Sequence, residues 1–124
     1  MKGGIALCLV GLLVGSDLPA RITVIDGDTL RYDGVTYRLI GIDAPEIRRA
    51  RCDAERTLAM LAKARLAQLV ADPSATIETH KRREKYGRTL ARLRVRGVDV
   101  GATLAAEGLA LPYDGRTKPD WCSR

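Results

Sequence analysis

The sequence predicts a single α+β domain in which a small β-barrel packs against helices. Five short segments rich in branched or alternating apolar residues indicate strands, and two segments with helical apolar spacing indicate helices. Turn dipeptides containing glycine separate the first strands. At 124 residues the chain has room for one hydrophobic core and no second domain.

The first three strands are predicted at residues 21–25, 29–32 and 35–42. Asp33-Gly34 has the chemistry of a tight hairpin turn and joins the second strand to the third. Asp26-Gly27 has the same turn chemistry, so this dipeptide is also explained by a simple hairpin. We therefore expect a hairpin between the second and third strands.

A helix is predicted to begin at Asp53 as its N-cap and to end before Pro73. Its apolar residues recur at helical spacing and should face the core. These are Leu58, Leu61, Ala62, Leu66, Leu69 and Val70.

Strands at residues 76–79 and 90–95 and a second helix at residues 100–107 complete the pattern. Asp99 is expected to cap that helix and Gly108 to end it. The order β-β-β-α-β-β-α fits a five-stranded barrel of the oligonucleotide-binding type, capped by two to three helices.

The N-terminus is typical of an export signal. Lys2 precedes an apolar run at residues 5–14, which is too short to span a bilayer of about 30 Å but suits the core of a signal peptide. We expect residues 1–16 to be removed, or cleavage as late as Ala20, leaving a domain at residues 21–124. The mature protein would be secreted or periplasmic, with no membrane association. A buried N-terminal strand or helix is the alternative.

Charge and cysteine content agree with export and with an anionic partner. The net charge is +6, and a basic surface attracts polyanions, although a solvated basic face would give the same count. Cys8 lies in the predicted signal, so the exported domain keeps Cys52 and Cys122. Two cysteines in an exported domain suggest one disulfide; two unrelated reduced thiols are the alternative.

Three clusters carry the chemistry: Asp26-Gly27-Asp28-Thr29, residues 38–46 and residues 84–88. They combine two carboxylates suited to a hard cation, a third carboxylate suited to a base, and two arginines suited to a phosphate. Phosphodiester hydrolysis needs this combination, because a metal and fixed cations must stabilise negative charge on phosphate oxygens. The sequence therefore predicts a phosphodiester hydrolase.

These motifs, in this order, resemble the staphylococcal nuclease (thermonuclease) family. The resemblance covers residues 22–121, and the closing segment, residues 108–115 followed by Trp121-Cys122, is similar to bacterial exported members. The family fold is a five-stranded Greek-key barrel capped by helices. The resemblance implies a Ca²⁺-dependent, sugar-nonspecific nuclease that releases the 5′ oxygen of DNA or RNA and leaves a 3′-phosphate.

The resemblance also assigns roles to individual residues. Metal ligands are Asp28, Asp43 and the backbone carbonyl of Ala44; catalytic residues are Arg38, Glu46 and Arg88; substrate contacts are Tyr86, Tyr113 and Lys85. Alternatives remain for these roles. The aspartates could be turn acids, Glu46 a surface acid and the two arginines partners in structural ion pairs. Tyr86 could be a packed barrel tyrosine and Lys85 an ordinary surface lysine. His80 and Trp121 are expected to be structural.

The sequence departs from the family pattern in three places. Ala44 replaces a threonine, Glu84 replaces an aspartate, and a short basic segment at residues 47–52 replaces a longer lysine-containing loop. If Cys52 pairs with Cys122, this segment is anchored beside the site.

A second class of function is a noncatalytic module that binds nucleic acid or protein, since related domains have lost catalysis. A degenerate module would be expected to lose Glu46 or an arginine, whereas this chain keeps all five charged positions. Few aromatics, no recognition helix and cations suited to backbone contact argue against base readout. Single-stranded DNA or RNA, or frayed duplex, should be preferred, because the backbone must enter a narrow pocket. Nothing in the sequence requires more than a monomer.

Overall fold

The computed structural model describes residues 4–6 and 22–124 of the chain. Its strands are β1 (Gly4–Ala6), β2 (Ile22–Asp26), β3 (Thr29–Tyr32), β4 (Val35–Leu39), β5 (Ile42–Asp43), β6 (Thr76–Arg83), β7 (Thr89–Val95), β8 (Val98–Asp99) and β9 (Leu111–Pro112). Its helices are α1 (Asp53–Val70) and α2 (Val100–Ala106).

The main sheet has the strand order β1-β6-β7-β4-β3-β2, with β8 paired to β7. Strands β2, β3 and β4 form an antiparallel meander, and β4 then pairs in parallel with β7 after the crossover through α1. The five strands predicted for the barrel are consecutive in this sheet. Across residues 4–6 and 22–124, no strand pair closes the sheet into a complete barrel. The α+β architecture expected from the sequence is confirmed.

The meander depends on its turns. Asp33 and Gly34 both have positive φ, +54° and +82°, as a two-residue hairpin of the predicted kind requires. The β2–β3 turn at Gly27-Asp28 follows a register shift between Val24 and Asp26. Both turns therefore fix where the side chains of the meander point.

The core lies between the sheet and the two helices. It contains buried apolar residues from β3, β4, β6, β7 and both helices, among them Leu30, Leu39, Leu66, Ile77, Leu93 and Leu104, each at most 3 % exposed. Within the described ranges, neither helix has the length and apolar character needed to cross a membrane.

Four details differ from the sequence predictions. Residues 35–42 form two strands rather than one, because the chain turns at Gly41, whose φ is +83°. The N-cap of α1 is Cys52 rather than Asp53, and its sulfur accepts the N–H of Glu55. Leu61, expected in the core, is 55 % exposed, because the buried face of α1 runs through smaller alanines instead. Strand β6 also continues through the basic residues to Arg83.

The predicted signal peptide lies mostly outside the described residues. Its only described part is β1, which pairs antiparallel with β6 through Gly4 opposite Glu78.

Candidate active site

Asp28 lies in the two-residue turn between β2 and β3 and faces the segment that follows β5. Its Oδ2 accepts the backbone N–H of Ala44 at 2.8 Å, and its Oδ1 accepts the hydroxyl of Thr29 at 2.8 Å. The turn approaches α1 so closely that a Cβ on Gly27 would lie 2.6 Å from the Cβ of Ala62. The same Cβ would lie 3.0 Å from the Cβ of Ala44, so the glycine leaves room for the segment that hydrogen-bonds to Asp28.

Arg38, on β4, joins the two predicted metal carboxylates. Its Nη2 lies 3.3 Å from Asp43 Oδ1 and 3.4 Å from Asp28 Oδ2. Its Nη1 donates to the carbonyls of Leu39 at 2.8 Å and Ile42 at 2.9 Å. The guanidinium is nearly buried, so it stabilises the turn before β5 as well as neutralising the acids. In this structure Arg38 thus makes the structural ion pairs that were the alternative to its predicted catalytic role.

Glu46, the predicted base, is paired with a residue that the sequence analysis did not select. Lys118 Nζ lies 2.8 Å from Glu46 Oε2 and 3.0 Å from Asp43 Oδ1. The indole N–H of Trp121 donates to the other oxygen of Asp43 at 3.3 Å. No sequence signal marks Lys118, because it stands alone in an irregular tail 72 residues after Glu46.

A second missed acid, Glu55, holds the loop that carries Glu46. Its Oε2 accepts the backbone N–H of Glu46 at 3.1 Å, and its Oε1 accepts that of Arg51 at 3.0 Å. Next to it the Cys52–Cys122 disulfide, with Cα atoms 6.1 Å apart, joins the start of α1 to the C-terminal tail. The structure therefore contains the disulfide that the cysteine count suggested, and it places the loop and the tail side by side.

Arg88, Tyr86 and Lys85 form a more exposed cluster in the connection between β6 and β7. Arg88 Nη2 pairs with Glu84 Oε2 at 3.0 Å, while Glu84 Oε1 accepts the backbone N–H groups of Tyr86 and Arg88. These bonds, that of the Arg88 side chain first, lower the pKa of Glu84 to about 2. Tyr86 is 73 % exposed, so it is not a packed barrel residue, and its ring lies near the Lys85 ammonium and the Arg88 guanidinium.

Arg88 also has an unused donor. Its Nε is buried and has no hydrogen-bond partner in the described part of the chain. A buried donor without a partner costs free energy, so such an atom is suited to a ligand that accepts a hydrogen bond.

Tyr113 lies beside Arg38. The guanidinium carbon of Arg38 lies 5.7 Å from the centre of the Tyr113 ring. The backbone N–H of Tyr113 donates to the carbonyl of Gly41 at 2.9 Å. The expected substrate-contacting tyrosine is thus at the edge of the acidic cluster.

Burial and crowding of negative charge shift several pKa values in this cluster. Burial, followed by the charge of Asp28, raises the pKa of Asp26. Burial also raises the pKa of Asp43, although the hydrogen bond from Lys118 works against it. Burial acts to raise the pKa of Glu46, but the hydrogen bond and charge of Lys118, together with more distant arginines, outweigh it. The pKa of Glu46 is therefore lowered, and its carboxylate stays charged.

The donor set fits a hard divalent cation. Carboxylate oxygens of Asp28 and Asp43 lie within 3.4 Å of the same Arg38 nitrogen, and calcium prefers oxygen ligands of this type. In residues 4–6 and 22–124 no group of three or more His, Cys, Asp or Glu side chains is arranged to hold a metal. The protein would therefore supply few ligands, and water or substrate would supply the others.

Residues 36–121 match the family described as staphylococcal nuclease homologue. The chain belongs to that family. The match includes every predicted catalytic and substrate residue, together with Asp43 and Ala44, and it leaves out Asp28, which precedes it. A comparison with curated proteins found no match to the chain.

Proposed function

We propose that the chain is an exported, Ca²⁺-dependent nuclease that hydrolyses the phosphodiester bonds of DNA and RNA without regard to the sugar. Membership of the staphylococcal nuclease family supports nuclease activity, but it does not by itself specify the metal or the substrate. The observation that carries the specific proposal is the convergence of Asp28, Asp43 and Arg38, with Lys118 linking Asp43 to Glu46. The proposed products are those implied by the family: a released 5′ oxygen and a 3′-phosphate end.

In this proposal Asp28, Asp43 and the carbonyl of Ala44 hold the calcium ion. When bound, the ion would supply positive charge to the phosphate and lower the cost of charge building up on its oxygens. Glu46 is the general base that takes a proton from the attacking water, a role that contributes ~10²–10⁴-fold in rate. Its lowered pKa keeps the carboxylate unprotonated and available for that step.

Arg38 and Arg88 would donate hydrogen bonds to the phosphate in its five-coordinate transition state. The partnerless Nε of Arg88 supports this role, because a phosphate oxygen would satisfy it. Tyr86, Tyr113 and Lys85 are proposed to contact the nucleotide. Single-stranded substrates are proposed to be preferred, since their backbone can enter the site without unpairing.

The disulfide and the apolar N-terminal run support export to the periplasm or the medium, because disulfides persist in oxidising compartments. We propose a monomer, since nothing in the sequence requires a second copy.

The test is hydrolysis of denatured DNA by the disulfide-bonded domain, with millimolar calcium and with a calcium chelator. We expect cleavage that the chelator abolishes. The matched variant Glu46→Gln should bind DNA normally but turn over at least ~10²-fold more slowly. Binding without cleavage by the native protein would instead establish the noncatalytic module.

A further inference from the structure

The C-terminal tail covers both carboxylate oxygens of Asp43. Lys118 Nζ lies 3.0 Å from Oδ1, the same oxygen that Arg38 contacts, and Trp121 Nε1 lies 3.3 Å from Oδ2. The Asp43 side chain is consequently only 1 % exposed. A cation arriving from solvent cannot reach Asp43 without displacing part of the tail.

Lys118 also joins Asp43 to Glu46, which lies on a different segment. Its ammonium is 2.8 Å from Glu46 Oε2, so one positive charge bridges a predicted metal ligand and the predicted base. The Lys118 side chain is itself 47 % exposed. The contacts of the Lys118 ammonium with Asp43 and Glu46 can therefore open to solvent without disturbing the core.

The tail is held in place covalently. Cys122, four residues after Lys118, is bonded to Cys52 at the start of α1. This link keeps the Lys118 ammonium close to the site even when its contacts open, so that it competes at a high effective concentration.

We propose that Lys118, held in place by its second contact with Glu46, is a tethered cation that competes with calcium for Asp43 and thereby sets the calcium concentration at which the site fills. The proposal deepens the proposed function and rests on it. Asp43 and Glu46 are held together by Lys118 before the ion enters. Entry of the ion requires the ammonium to leave Asp43 Oδ1.

Replacing Lys118 with a neutral residue should therefore tighten binding of the ion. A hydrogen bond to a charged group is strong, but half-exposed pairs are weakened by solvent, so we expect Lys118→Gln to lower the Kd about 5- to 10-fold. Lys118→Arg keeps the charge and should bind within about threefold of the native protein.

The experiment is a titration with Tb³⁺, a luminescent stand-in for Ca²⁺, followed by energy transfer from Trp121, the single tryptophan of the chain. Displacement of bound Tb³⁺ by Ca²⁺ then gives the calcium affinity. Arg65→Gln is the matched control, because it removes one positive charge whose partner, Glu107, is outside the site. Asp43→Asn should lose the signal if the probe is in the proposed site.

Each outcome decides a different question. Tighter binding in Lys118→Gln, with Lys118→Arg and Arg65→Gln close to native, supports the competition. Equal affinity in Lys118→Gln and the native protein overturns it and leaves the calcium site intact. If Lys118→Gln and Arg65→Gln bind the ion more tightly by the same factor, the effect comes from net charge alone, and the proposed competition is also overturned. Absence of binding of either ion to both the native protein and Lys118→Gln refutes the calcium site itself, and the inference with it.

Discussion

Glu55 offers the sharpest test of how the fold holds the predicted base. It is 4 % exposed, and its carboxylate accepts the backbone N–H groups of Glu46 and Arg51, at the two ends of one loop. Glu55→Ala removes both bonds together. A hydrogen bond to a charged group contributes roughly 1.5–3 kcal/mol. Because water can reach both N–H groups once the carboxylate is gone, we expect the lower part of that range for each bond, about 3–4 kcal/mol in total.

The measurement is urea unfolding of the oxidised protein, followed by the fluorescence of Trp121. Glu55→Gln is the matched variant, because its amide keeps one oxygen acceptor but brings an NH₂ group toward the second N–H. We expect it to lower the free energy of unfolding by about half as much as Glu55→Ala. Hydrolysis kinetics provide the second readout. Displacement of the Glu46 loop should lower kcat, while KM for an oligonucleotide changes little, because no predicted phosphate contact is removed.

Two results would refute this reasoning. Glu55→Ala could lose less than about 0.5 kcal/mol, which is the level of an ordinary surface substitution. Alternatively it could lose stability as expected but keep native kcat, in which case the loop does not depend on Glu55 for the position of Glu46.

Three further predictions follow from the same geometry. Arg38→Lys should lower turnover by at least ~10²-fold, because lysine cannot supply two parallel hydrogen bonds; native turnover in a folded variant would contradict its role. Gly27→Ala should cost about 1–3 kcal/mol in thermal unfolding, since its new Cβ would overlap the helix, and an unchanged melting temperature would show that the turn can shift freely. Reducing the Cys52–Cys122 bond, which spans 70 positions, should cost up to ~4 kcal/mol and alter activity; unchanged stability and activity, with the bond shown to be present beforehand, would remove it from the argument.

Local patterns predicted the fold well. The branched strands, the Asp33-Gly34 hairpin and the Asp99 cap of α2 are signals contained within a few neighbouring residues, and each is present in the structure. The boundary errors have a local cause as well: the sulfur of Cys52 caps α1, a role usually filled by an oxygen side chain. Sequence spacing also could not tell Leu61 from the buried alanines beside it.

The site was only partly predictable. Asp28, Asp43 and Arg38 were selected from motifs, and the structure brings them together. Lys118 and Glu55 were missed, because each acts through a contact between distant segments or with backbone N–H groups. A lone lysine in a tail and an acid in the first turn of a helix have the same appearance in any sequence. Only the packing of the tail gives Lys118 its role, and only the position of the loop at residues 46–51 gives Glu55 its role.

The two arginines differ in what they can still bind. The Nη atoms of Arg38 already contact two carboxylates and two carbonyls, whereas Arg88 keeps a buried Nε without a partner in the described ranges. Arg88 can therefore gain a hydrogen bond to phosphate without giving up a partner, once its surroundings shift to open the buried Nε, while Arg38 Nη2 must first give up its acidic partners. A divalent cation held by Asp28 and Asp43 would compete for the oxygens that Arg38 Nη2 now contacts. We therefore expect cation and phosphate to bind cooperatively, each strengthening the other by the same factor.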